Sequence, residues 1–138
     1  MEDVLTVHTD GGARGNPGPA AIGVVIEKKG KLICQFGKNI GDTTNNVAEY
    51  TAVIEALKYL KELRGKSYEL KIRFHLDSKL VVEQLNGNFK IKNTNLRELS
   101  LHVRLLEQEV GGVVTYKYIP REQNKRADFF VNKTLDNI

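Results

Sequence analysis

At 138 residues, 41% hydrophobic and 28% charged, the chain has the size and composition of one globular domain spanning residues 1–138, and too many apolar residues for disorder. Its 21 Lys and Arg against 17 Asp and Glu give a formal charge of +4, which permits a polyanionic partner without requiring one. The single cysteine, Cys34, excludes an internal disulfide and a cysteine-rich zinc site, and no apolar run approaches the ~20 residues of a membrane span.

No basic segment precedes an apolar run at the N-terminus, so a cytoplasmic protein is expected, and nothing in the pattern asks for more than a monomer. Residues 4–9 are β-branched and weakly alternating; they read as a strand that stops at Asp10. Residues 20–27 and 31–40 form two more strands, joined through KKGK as a hairpin. The polar stretch GDTTNN follows as a loop. Residues 47–63 place Val47, Ile54, Leu57 and Leu60 at helical spacing, and Gly65 closes that helix. From 68 to 76 the chain alternates, with Tyr68, Leu70, Ile72, Phe74 and Leu76 on one parity and Glu69, Lys71, Arg73 and His75 on the other. DSKLVVEQL opens a short helix stopped by NGN, and residues 95–110 form a long one ended by GG. Residues 113–119 make a fifth strand; after Pro120 a last helix runs from Asn124.

This order, β-β-β-α-β-α-α-β-α, predicts an α/β fold: a five-stranded mixed sheet, three antiparallel strands and then parallel ones, flanked by helices. The first, fourth and fifth strands should run parallel through right-handed crossovers. Ligands of such sheets bind beyond the carboxyl ends of the parallel strands. Asp10 and Asp77 lie at two of those ends, both on the less apolar parity of their strands. Glu49 lies in the first turn of the long helix, and Asp128 near the start of the last, with Asn132 one turn along.

Each acid alone has a structural explanation. Glu49 follows Asn46 by three, as in a capping box. Asp77 with Ser78 suits a helix N-cap, Asp128 suits a helix start, and Asp10 before Gly11 is turn chemistry. Together, four carboxylates at one sheet edge would repel unless a cation neutralised them, and hard divalent ions prefer oxygen ligands. Two such ions about 3.5–4 Å apart suit phosphodiester hydrolysis.

The blocks TDGGARGNPGPAAIGVVI, TTNNVAEYTAVIEAL, LDSKLVVEQLNG and PREQNKRADFFVNKTL resemble, in order, those of the type 1 ribonuclease H family. The resemblance spans essentially the whole chain and implies the ribonuclease H-like fold. It implies an endonuclease that cuts the RNA strand of RNA–DNA hybrids, leaving 5′-phosphate and 3′-hydroxyl ends, with two Mg2+ ions or Mn2+ in their place. By this resemblance Asp10, Glu49, Asp77 and Asp128 are the catalytic, metal-binding carboxylates. Asp10 would bridge both ions, Asp128 would complete one site, and Glu49 and Asp77 the other. Gly11, Gly12, Arg14, Asn16, Thr44, Asn45 and Asn46 are the expected hybrid contacts, suited to the wide minor groove with its 2′-hydroxyls. Asn16 and Thr44 would also hold a phosphate of the DNA strand.

Two departures stand out. Many bacterial members carry a glycine-flanked histidine before the last acid; here the shorter loop has Arg121, which cannot act as a base but can grip a phosphate. The tryptophan-rich basic protrusion of well-studied members is reduced to NGNFKIKNTN, where Lys90, Lys92 and Arg97 remain as candidate phosphate contacts and salt-sensitive binding is expected. His8 and His75 each precede an acid by two residues and are expected to be packed or hydrogen-bonded structural histidines, near one another if their strands are adjacent; His102 has no argument for function. A hybrid-binding module without cleavage and another nuclease of the same superfamily are the rival readings.

Overall fold

The computed structural model describes residues 3–64 and 70–138; Gly65, Tyr68 and Glu69, expected at a helix end and a strand start, lie outside the described residues. The elements are β1 (Asp3–Ala13), β2 (Gly18–Lys28), β3 (Lys31–Thr43), α1 (Asn45–Arg64), β4 (Leu70–Leu76), α2 (Lys79–Leu85), α3 (Thr94–Val110), β5 (Val113–Tyr118), a 3-10 turn (Arg121–Gln123) and α4 (Lys125–Asp136). The sheet order is β3-β2-β1-β4-β5. β2 pairs antiparallel with β1 and β3, whereas β4 pairs parallel with β1 and β5, as the element order requires.

Two boundaries differ from expectation for one reason. β1 does not stop at Asp10 but runs to Ala13, because β2 goes on supplying antiparallel partners, Asp10↔Gly23 through Ala13↔Ala20. Its parallel pairing with β4 ends earlier, at His8↔His75. Likewise β3 absorbs Gly41 to Thr43 of the expected loop, since Gly18 pairs with Thr43 across the β2–β3 ladder. Backbone partners from a neighbouring strand outweigh the local turn preference of Gly, Asp and Thr. The 3-10 turn after Pro120 was not expected either; it delays α4 to Lys125.

One face of the sheet, carrying Leu5, Val7, Ile22, Val24, Ile72 and Phe74, packs on α1 and α3 through Tyr50, Val53, Leu57, Leu60, Val103 and Leu106. Each large side chain buried this way contributes about 1.5–3 kcal/mol. On the opposite face α4 lies across β1, β2 and β3, with Val131 and Leu135 over Ala21. The helix can lie so close because Gly23 has no side chain: a Cβ there would overlap the carbonyl of Ala127.

Candidate active site

The four acids come from four elements. Asp10 stands on β1 beyond the last parallel pair, Asp77 directly follows β4, Glu49 is on the first turns of α1, and Asp128 is in the first turn of α4. α1 reaches Asp10 because β1 offers Gly11 at the crossing, where a Cβ would overlap the Ala48 carbonyl. The Gly11 amide donates to Asp10 Oδ1 at 3.0 Å and to Glu49 Oε1 at 3.1 Å, so one N–H holds both carboxylates. The structure replaces the capping-box reading of Glu49. Thr44 caps α1, its Oγ1 accepting from Val47 N at 3.2 Å, and the Glu49 carboxylate turns to the sheet. At α2 the cap is Ser78, whose Oγ accepts from Val81 N, which leaves Asp77 uncommitted to the helix.

One carboxylate oxygen each from Asp10, Glu49 and Asp77 lies within 4.8 Å of the others. Asp10 and Glu49 are only 7% and 6% exposed, which makes their crowding electrostatically costly. Burial pushes the Asp10 carboxyl up to about 7, aided by repulsion from Asp77 and Asp128 and opposed by a hydrogen bond with Glu49. Burial, then the neighbouring Asp10 charge, raises Glu49 well above the usual carboxylate range. Asp128 stands outside the tight triad but lines the same cleft of about 440 Å3. Among the described residues Glu49 Oε2, Thr9 Oγ1 and Asn124 Oδ1 are buried without a hydrogen-bond partner. An orphaned carboxylate oxygen among like charges is what a hard divalent cation satisfies, so the donor set fits such an ion.

Of the expected substrate contacts, Gly11, Gly12, Arg14, Asn45, Asn46 and Arg121 line the cleft beside the four acids. Asn16 and Thr44 do not; they brace the start of α1. Asn16 Oδ1 accepts from Asn45 N at 3.0 Å, and Asn45 Oδ1 from Ala13 N at 2.8 Å, which stitches the two polar loops together. Arg14 pairs with Asp136 at 2.5 Å, but both side chains are about half exposed or more, so the pair is readily exchanged. Arg121 opens the 3-10 turn, is exposed, and has no ion pair among the described residues. Lys90, Lys92 and Arg97 are exposed between α2 and the first turn of α3, outside the cleft lining.

Sequence reasoning missed Asn124. It is 1% exposed and donates from Nδ2 to Asp77 Oδ2 at 3.0 Å and to the Thr9 carbonyl at 2.9 Å. Its only local signal is its place four residues before Asp128; it occupies the N-cap position of α4, but its side chain makes no capping hydrogen bond there. His8 and His75 are cross-strand partners with ring nitrogens 3.4 Å apart, and burial lowers both pKa values.

A family model described as reverse transcriptase-like matches residues 8–134. The chain is 32% identical over 151 residues to the ribonuclease H of Pseudomonas entomophila (strain L48), covering all of this chain and 97% of that protein. The chain belongs to the type 1 ribonuclease H family. The chain superposes on LC11-RNase H1, solved in complex with an RNA/DNA hybrid, with a TM-score of 0.92 at 41% identity, covering 96% of this chain and 97% of that one. It is also 34% identical over 134 residues to a bifunctional protein of Mycobacterium tuberculosis (strain ATCC 25618 / H37Rv), matching 96% of this chain but only 35% of that protein. The chain thus spans about a third of the length of that mycobacterial relative. Its mixed sheet with flanking helices is the ribonuclease H-like fold.

Proposed function

We propose that this ribonuclease H is a metal-dependent endonuclease that hydrolyses the RNA strand of RNA–DNA hybrids and leaves 5′-phosphate and 3′-hydroxyl ends. The observation that carries this reading is the Asp10–Glu49–Asp77 cluster with its orphaned oxygen, set in a cleft that Asp128 also lines. Asp10, Glu49 and Asp77, with Asp128 beside them, would hold two divalent ions, Mg2+ or Mn2+ in its place. When bound, such a pair supplies an activated water on one side of the phosphodiester and stabilisation of the leaving oxygen on the other.

The chain's own groups hold this arrangement and the substrate. The Gly11 amide fixes Asp10 and Glu49, and Asn124 orients Asp77. Gly12, Asn45 and Asn46 meet the minor groove, where small polar groups can read 2′-hydroxyls. The Asn16 carboxamide oxygen is engaged at α1, which leaves its Nδ2 to donate; the Thr44 hydroxyl accepts from α1 and keeps its proton to donate. Both donors suit a DNA-strand phosphate. Arg121 grips the scissile or departing phosphate through its guanidinium fork. Residues 1–138 act as one catalytic unit, monomeric and cytoplasmic.

The test incubates the protein with a labelled RNA–DNA hybrid, duplex RNA and duplex DNA in Mg2+, Mn2+ or chelator. Hybrid cleavage that is lost in chelator and in Asp10→Asn is the expected result. Binding without cleavage in either metal would replace this reading with that of a binding module. Arg121→Ala is expected to slow cleavage or raise KM, and unchanged values of both would remove Arg121 from the phosphate contact.

A further inference from the structure

α4 covers only half of its side of the sheet. Among the described residues its main contacts run to β1, β2 and β3, and no helix packs comparably over β4 and β5 on that side. Register shows which residues the open half displays. Gly23 faces α4 and pairs with Asp10, so His8, two residues back, shares that side. His8 pairs with His75, His75 with Lys117, and Arg73 with Thr115. Arg73, Thr115 and Lys117 are exposed, and neither cation has a hydrogen bond or ion pair among the described residues. The acids nearby offer little neutralisation: Glu27 is held by Arg126 at 3.1 Å, and Glu122 stands on the 3-10 turn beside Lys125. Lys71 shares the parity of Arg73 but has an interaction of its own and is not needed here.

We propose that this open face of β4 and β5, through Arg73 and Lys117, binds the phosphate backbone of the substrate nucleic acid beyond the duplex held in the active-site cleft. The inference rests on the hybrid-cleaving reading and extends its footprint. Three observations favour an extended polyanion. Arg73 and Lys117 are diagonal neighbours on adjacent strands, about 7–8 Å apart by sheet geometry, with the Thr115 hydroxyl directly across from Arg73 as a further donor. Arg73, Thr115 and Lys117 are all exposed on one sheet face, an arrangement that suits a chain of phosphates better than a small enclosed anion. And the patch begins at His75, two residues before Asp77, so it is continuous with the end of the sheet where the cleft lies.

The test measures fluorescence-anisotropy Kd in chelator, and KM and kcat in Mg2+, on hybrids of increasing length for the native protein and Arg73→Gln/Lys117→Gln. Hybrids long enough to leave the cleft should bind the double variant more weakly with kcat unchanged, while short hybrids should not distinguish the two proteins. Losing two phosphate contacts should also shrink the native protein's advantage roughly tenfold between about 50 and 200 mM salt. Equal Kd and KM at every length would overturn the inference, as would a loss of kcat or an equal loss on short and long hybrids. If polyglutamate binding falls while hybrid binding does not, the face serves an acidic protein and the inference fails. Because Kd is read in chelator, a native protein that binds hybrids without cutting them would defeat the activity reading and leave this length test standing.

Discussion

Burying a carboxylate against three others makes Asp10 an electrostatic burden on the metal-free fold. Its folded pKa of about 7 lies far above the ~3.9 of an unfolded Asp, so between those values the folded state binds more protons than the unfolded one. The slope of unfolding free energy with pH is then negative. This residue's contribution to stability is therefore greatest near pH 4 and is lost as pH rises through about 7. Asp10→Asn removes that charge, so in chelator at pH 8 it should melt above the native protein while its cleavage is abolished. At pH 4 the gap should close; a variant that melts lower at pH 8 would refute the argument. Asn124 supports the opposite wall. Asn124→Ala deprives Asp77 and the Thr9 carbonyl of a buried donor, at a cost of about 1–3 kcal/mol. Loosening a metal-binding carboxylate commonly weakens the site about 10–100-fold, so the Mg2+ needed for half-maximal cleavage should rise by that order. A Mg2+ titration of cleavage rate checks it.

Elements meet at this site where glycine lets backbones touch. Gly11 admits α1 to β1 and so brings Glu49 to Asp10; Gly23 admits α4 to β2 and so brings Asp128 to the same edge. Gly23→Ala would drive a methyl group into the Ala127 carbonyl, and α4 would have to lift. Overpacking of this kind costs about 1–3 kcal/mol, and cleavage should fall more than stability because Asp128 shifts with the helix. Denaturant melts beside cleavage rates separate the two effects, and an unchanged rate would show that α4 can move without carrying its carboxylate away. Strand and helix identities were legible in the sequence: the alternation over 70–76 and the helical spacing of Ile54, Leu57 and Leu60 match buried faces in the structure. The end of β1 was not, because its glycines signal a turn locally while β2 continues to pair with them.

Across the whole molecule the cleft gathers carboxylates from residues 10, 49, 77 and 128, so divalent ions bound there would together tie four distant segments into the folded state. At a metal concentration about a hundredfold above its Kd, one site adds roughly 2.7 kcal/mol to stability. Mg2+ should accordingly raise the melting temperature over that in chelator, and Asp10→Asn should lose most of the increment. An equal increment in that variant would move metal binding away from Asp10.

The sequence by itself determined the element order, the mixed sheet and the four acids at its edge. Hydrophobic period and turn residues are local properties, and the carboxyl ends of parallel strands follow from topology. Only the tertiary structure decided that Asn124 serves Asp77, that Asn16 and Thr44 brace α1 outside the cleft lining, and that half a sheet face stays open. Each of these depends on how closely two distant segments pack. Such approach distances are set by the three-dimensional crossing of backbones, as at Gly11 with Ala48 and Gly23 with Ala127, and leave no periodic trace along the chain.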